Sequence, residues 1–162
     1  MKQNPTVKEK SLHPETPAPP AREKKGAEEA AAESSEPLDE RILSALHAAS
    51  DKKALDLVVL DLRSIASFTD YFLITSGANT RQVQAIADEI VERLKKEGTR
   101  ALRVEGYRSA EWVLVDYGDF IVHVFDNKAR LFYDLERLWR DAARVTLPAD
   151  LLAGGSLRTE ES

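Results

Sequence analysis

Trp112-Val113-Leu114-Val115-Asp116-Tyr117-Gly118-Asp119-Phe120-Ile121-Val122-His123-Val124-Phe125 is the stretch on which the reading of this chain turns. Two runs rich in Val, Ile and Phe flank Tyr117-Gly118-Asp119, a pattern that predicts a tight antiparallel hairpin. Runs this apolar belong in the middle of a sheet, covered on both faces. Strand alternation puts Ile121, His123 and Phe125 on one face and Phe120, Val122 and Val124 on the other. The same stretch carries Trp112, Asp116, Tyr117, Asp119 and His123, which suit a recognition surface as well as an active site.

Upstream of the hairpin, Leu38, Ile42, Ala45, Leu46 and Ala49 are spaced for one face of a short helix. Strands follow at Leu55 to Leu62 and at Tyr71 to Thr75, the second stopped by Ser76-Gly77. A helix comes next. Asn79 and Gln82 form a capping-box pattern, Val83, Ile86, Ala87, Ile90 and Leu94 make its buried stripe, and Gly98 ends it. Ala101 to Glu105 reads as a short strand. Beyond the hairpin, Asp126 or Asn127 caps a last helix carrying Leu131, Leu135, Leu138, Trp139 and Ala142. This order predicts an α/β (α+β) fold, with a mixed central sheet of about five strands flanked by helices.

The chain has 162 residues, which allows one ordinary domain with tails. Residues 1–37, mostly Lys, Glu, Pro, Ala and Ser, have little to bury and are expected to stay disordered. The domain is expected over residues 38–147, and residues 148–162 read as a flexible tail. The formal charge of −5 is the wrong sign for holding nucleic acid through its phosphates, so little direct nucleic-acid binding is expected. Without cysteine there is no disulfide, thiolate metal site or cysteine nucleophile. No apolar run reaches the roughly 20 residues that span a bilayer, and the N-terminus lacks a signal-peptide core. A soluble, cytoplasmic protein is expected.

Catalytic patterns fail one after another. There is no phosphate-binding glycine motif, and Ser76-Gly77 reads more simply as a strand turning into a helix. Asp134-x-Glu136, the spacing that would let two carboxylates share a metal on a strand, falls inside the last helix, where side chains diverge. Asp116 and Asp119 straddle a turn, where aspartate commonly satisfies its own backbone. His123 has no serine in a nucleophile-elbow setting to activate. Binding reads better. Trp and Tyr are the usual anchors of interfaces, and Trp112 and Tyr117 stand near the hairpin, with Arg130 and Tyr133 on one face of the following helix. For Trp112, core packing and surface recognition remain equally open.

Several separated stretches together resemble the ribosomal silencing factors of the Iojap family. They are Ser67-Phe68-Thr69-Asp70-Tyr71-Phe72-Leu73-Ile74, Arg81-Gln82-Val83-Gln84-Ala85-Ile86-Ala87-Asp88, Glu105-Gly106, Trp112 to Asp119, and His123-Val124-Phe125. Arg130, Tyr133, Leu135-Glu136 and Leu138-Trp139 complete the pattern. The resemblance implies a binding protein with no enzymatic activity and no cofactor. It implies docking on the large ribosomal subunit through ribosomal protein number fourteen of that subunit, steric blocking of small-subunit joining, and a link to late large-subunit assembly. It also implies homodimers and a nucleotidyltransferase-like fold without the catalytic carboxylates; the alternative reading is a nucleotidyltransferase-like, nucleotide-binding enzyme that uses Ser76-Gly77 and the hairpin acids. Trp112, Asp116, Tyr117 and Asp119 are then expected at the centre of the docking face, with Arg130 and Tyr133 beside them. Between positions 38 and 147 there are 16 basic and 18 acidic residues, so such a domain could offer carboxylates to a basic ribosomal protein.

Overall fold

In the computed structural model, residues 38–151 are described. The element order is α1 (Glu40–Asp51), β1 (Leu55–Asp61), β2 (Tyr71–Gly77), α2 (Thr80–Lys96), β3 (Arg103–Glu105), β4 (Trp112–Asp116) and β5 (Phe120–Asp126). It ends with α3 (Asn127–Tyr133), α4 (Leu135–Leu138) and β6 (Ala143–Arg144). The expected mixed sheet is present with six strands, in the order β3-β4-β5-β2-β1-β6. All neighbours are antiparallel except β2 and β5, which run parallel from Tyr71↔Phe120 to Gly77↔Asp126. The sixth strand is only two residues long, too short for any alternation to announce it.

The predicted hairpin is β4–β5, paired from Trp112↔Phe125 to Asp116↔Ile121. Gly118 at its tip has φ +89°, a conformation that glycine adopts without a Cβ penalty. Helix α2 is capped as its sequence implies: the Asn79 side chain accepts from the Gln82 amide at 2.8 Å. Asp126 caps α3 by accepting from Ala129 N at 2.8 Å.

One face of the sheet packs on α1 and α2 through Val59, Leu73, Val113, Val115, Val122 and Val124, which meet Leu46, Ile86, Ile90 and Leu94. The opposite face carries Leu60, Phe72, Ile74, Trp112, Leu114, Ile121 and Phe125, covered by Ala129, Leu135 and Trp139. Both central strands are therefore buried on both sides, which explains their continuous apolar character.

Two expectations change. The last helix is not continuous: Asp134 sits at φ 48°, ψ 52° and splits it into α3 and α4. Leu135, Trp139 and Ala142 still turn inward, but Leu131 and Leu138 face solvent. The packed body also runs past position 147. Leu147 and Leu151 both bury against the helical face, so residues 148–151 of the expected tail belong to the domain. The expectations for residues 1–37 and 152–162 lie outside the described residues.

Candidate functional site

Trp112 is the first residue of β4, and alternation turns its ring to the face covered by α3. It is 7 % exposed and packs 4.6 Å from the Tyr133 ring and 5.0 Å from the Phe125 ring, centroid to centroid. Its Nε1–H donates to His123 Nδ1 at 3.1 Å. This bond places the imidazole proton on Nε2, which has no hydrogen-bond partner among the described residues. Burial pushes the His123 pKa down to about 3, so the ring stays neutral at ordinary pH. A neutral, enclosed imidazole that accepts an indole N–H is a core group and not a base facing substrate.

Aromatic contacts extend from this pair in both directions. His123 meets Phe72 edge-on at 4.4 Å, and Phe72 meets Trp139 at 5.6 Å. Trp139 reaches Phe68 at 6.0 Å. In the other direction Tyr133 meets Phe132 edge-on at 4.9 Å. These separations fall in the range where ring pairs attract beyond simple burial. The chain of rings is internal in its middle and emerges at Phe132 and Phe68.

At the hairpin tip, Asp116 accepts from Gly118 N at 2.8 Å and from Arg103 Nε at 3.2 Å. Asp119 is exposed and pairs with Arg41 at 2.9 Å. Arg41 also grips Asp39 through a side-chain hydrogen bond that holds that carboxyl below its ordinary range. Tyr117 is buried on the helical face and stacks on Phe120 at 4.9 Å. Burial raises its phenol pKa to about 12.

The expected docking set therefore divides. Trp112 and Tyr117 present almost no surface, so their rings lie in the packed interior rather than on an open face. Arg130 is likewise turned inward. It donates to both oxygens of Glu136 at 3.0 and 3.1 Å, to Ser76 Oγ at 3.1 Å and to the Asp56 carbonyl at 2.9 Å. The guanidinium bolts α3 to the ends of β1 and β2. Tyr133 is half-buried between Trp112 and Phe132. Asp116 and Asp119 remain at the surface end of the hairpin, each with an arginine partner.

The surface that sequence reasoning missed lies on α3 and α4. Leu131 is 81 % exposed, Phe132 78 % and Leu138 52 %. They line a groove of about 640 Å³ with Tyr133, Arg137 and Arg140. A signal was available in Leu131-Phe132-Tyr133. Three consecutive large apolar residues sweep about 200° around a helix, so a helix with one buried face must expose part of them.

The Ser76-Gly77 turn offers no open anion cradle. Ser76 Oγ is engaged by Arg130, and the Ala78 amide donates to Gln82 Oε1 at 2.7 Å. A Cβ on Gly77 would lie 3.1 Å from Val83 N, so this glycine serves close packing of strand on helix. Among the described residues, no group of three or more His, Cys, Asp or Glu is placed to hold a metal ion. No helix of the described residues is long and apolar enough to cross a membrane.

The sequence profile described as "Ribosomal silencing factor during starvation" matches residues 19–161. "Ribosomal silencing factor RsfS" of Bacillus subtilis is 47% identical over 100 residues, which is 62% of this chain and 85% of that protein. "Mitochondrial assembly of ribosomal large subunit protein 1" of mouse is 30% identical over 115 residues, covering 64% of this chain and 50% of that protein. A crystal structure from Bacillus halodurans superposes with a TM-score of 0.60 at 42% identity, covering 67% of this chain and 98% of that one. With the profile spanning nearly its whole length, the chain belongs to the ribosomal silencing factor (RsfS) family.

Proposed function

We propose that this protein represses translation by docking on the large ribosomal subunit, against its ribosomal protein number fourteen, and so blocking the small subunit. It acts by binding and not by catalysis, in the cytoplasm, and it self-associates as a homodimer. A second role, in late large-subunit assembly, belongs to the same proposal; the name of the mouse relative supports a part in large-subunit assembly.

The observation that carries the docking part is the exposed apolar face of α3 and α4. Leu131, Phe132 and Leu138 together leave more large apolar surface in solvent than a solitary side chain would, as interaction sites do. Tyr133 and Trp112 stand directly behind Phe132. They stiffen an anchor that would otherwise pay rotamer entropy on binding. In this reading the expected residues keep a part in docking. Trp112, Tyr133 and Arg130 fix α3 from behind, and Asp116 and Asp119 give a negative end to the hairpin that can face a basic ribosomal protein.

Co-sedimentation with isolated large subunits, isolated small subunits and joined ribosomes tests the reading. Selective pelleting with free large subunits is expected, with none on joined particles. Pelleting with no particle, or equally with all of them, refutes it.

A further inference from the structure

The break between α3 and α4 divides the exposed apolar surface in two. Leu131 and Phe132 lie before it on α3, and Leu138 lies after it on α4. Asp134 makes the break. Its amide donates to the Arg130 carbonyl at 3.0 Å and closes α3, while its carbonyl accepts from Arg137 N at 3.0 Å and opens α4. Its φ of 48° is unfavourable for a residue with a Cβ, and its side chain makes no capping bond to α4. α4 is a single turn of four residues, too short to hold its own shape. Leu135 and Trp139 bury and hold it against the sheet. Those two stand four apart, on one line of the turn, so by themselves they leave it free to roll about that line.

Glu136 removes that freedom. It lies about 100° round the turn from Leu135, and both of its carboxylate oxygens accept from Arg130. Oε1 takes Nε–H at 3.0 Å and Oε2 takes Nη2–H at 3.1 Å, a two-point pairing that fixes direction as well as distance. The same guanidinium is tied to Ser76 Oγ and to the Asp56 carbonyl, so the sheet is the fixed end of the brace. The pair is largely enclosed, at 11 % and 22 % side-chain exposure, where salt screens it less than at an open surface. Arg144 adds a longer contact to Oε2 at 3.8 Å. Leu138 is about 200° from Glu136, on the far side of the turn, so a roll that moves one moves the other.

We propose that Glu136 is a positioning residue for docking: its two-point pairing with Arg130, across the break at Asp134, sets the direction of Leu138 relative to Phe132. This rests on the docking reading above and names the device that joins the two halves of its surface. Without the brace every apolar side chain is still present, but Leu138 has to be ordered at the moment of binding.

Pelleting titrations of the full chain with large subunits test this as a double-mutant cycle. Leu138→Ala and Glu136→Ala each weaken binding about tenfold. Combined, they weaken it no more than about twofold beyond Leu138→Ala alone, because Glu136 acts through the side chain already removed. Effects that multiply to about a hundredfold, or a Glu136→Ala protein that binds as the parent does, overturn the proposal. Should Glu136→Ala fail to fold, Glu136→Gln, which keeps the shape and loses the charge, takes its place in the cycle. A second readout needs no ribosome. The chain has no cysteine, so nitroxides can be placed at Phe132→Cys and Leu138→Cys alone. The spread of their separation, read by electron paramagnetic resonance, widens when Glu136→Ala is added, and an unchanged spread overturns the brace. A parent that pellets with no particle sinks the docking reading, while the spin-label spread still scores the brace.

Discussion

Truncating Trp112 to alanine removes an indole enclosed by Phe125, Tyr133 and His123. A buried aromatic truncated this far destabilises by about 3–5 kcal/mol, through lost burial and the cavity left behind. The substitution also strands His123 Nδ1, at a site only 1 % exposed, which adds about 1–3 kcal/mol. Together these approach the whole stability of an ordinary domain, about 5–15 kcal/mol. The gentler Trp112→Phe keeps a ring and loses mainly the hydrogen bond, so it should fall by roughly 2–3 kcal/mol. Pairing it with His123→Leu removes acceptor as well as donor and should recover at least about 1 kcal/mol of that loss. Urea unfolding at pH 7.5, followed by far-ultraviolet circular dichroism, measures all three. If Trp112→Ala unfolds at the parent's midpoint while large-subunit binding disappears, Trp112 is a surface anchor and the internal ring chain is wrong.

Phe132→Ala should do the reverse. Its ring is largely in solvent, so stability should move by less than about 0.5 kcal/mol. Loss of a central anchor weakens binding by about 2 kcal/mol, some 30-fold, in a large-subunit pelleting titration. Arg130→Met should cost about 2–3 kcal/mol in chemical denaturation, because it leaves Glu136, Ser76 Oγ and the Asp56 carbonyl short of a donor. Stability should also fall on acidification. The unfolded chain protonates His123 below about pH 6.5, but the folded chain keeps it neutral down to about 3. Between those values the unfolded state binds the extra proton, so stability drops by up to about 1.4 kcal/mol per pH unit. His123→Leu should flatten that slope when denaturation is measured between pH 7 and 4.5.

Local chemistry was readable in the sequence. The β4–β5 hairpin, the Asn79 cap and the buried stripe of α2 each depend on residues within a few positions of one another. What escaped depended on distant chain. Alternation showed that His123 shares a face with Ile121 and Phe125, but not that α3 would fold back over that face. The cover depends on the left-handed turn at Asp134 and on Arg130 reaching Ser76, which is far away in sequence. A mechanical clamp and a docking arginine look alike in sequence. For the same reason Leu131 and Leu138 read as a continuation of the Leu135–Trp139 stripe until the break at Asp134 rotated them outward.

The parallel pairing of β2 with β5 has a consequence for how the protein is made. Tyr71 cannot find Phe120 until the intervening chain has left the ribosome, and β5 is the strand that joins β4 to the β1–β2 pair. Emerging from the N-terminal side, the nascent chain holds an unpaired β2 edge and an uncovered apolar face while residues 78–119 are being made. Such long-range closure is slow, and its unfinished forms are prone to aggregate. A chain stopped short of Phe120 should therefore need a chaperone, and the complete domain should assemble in one late, cooperative step.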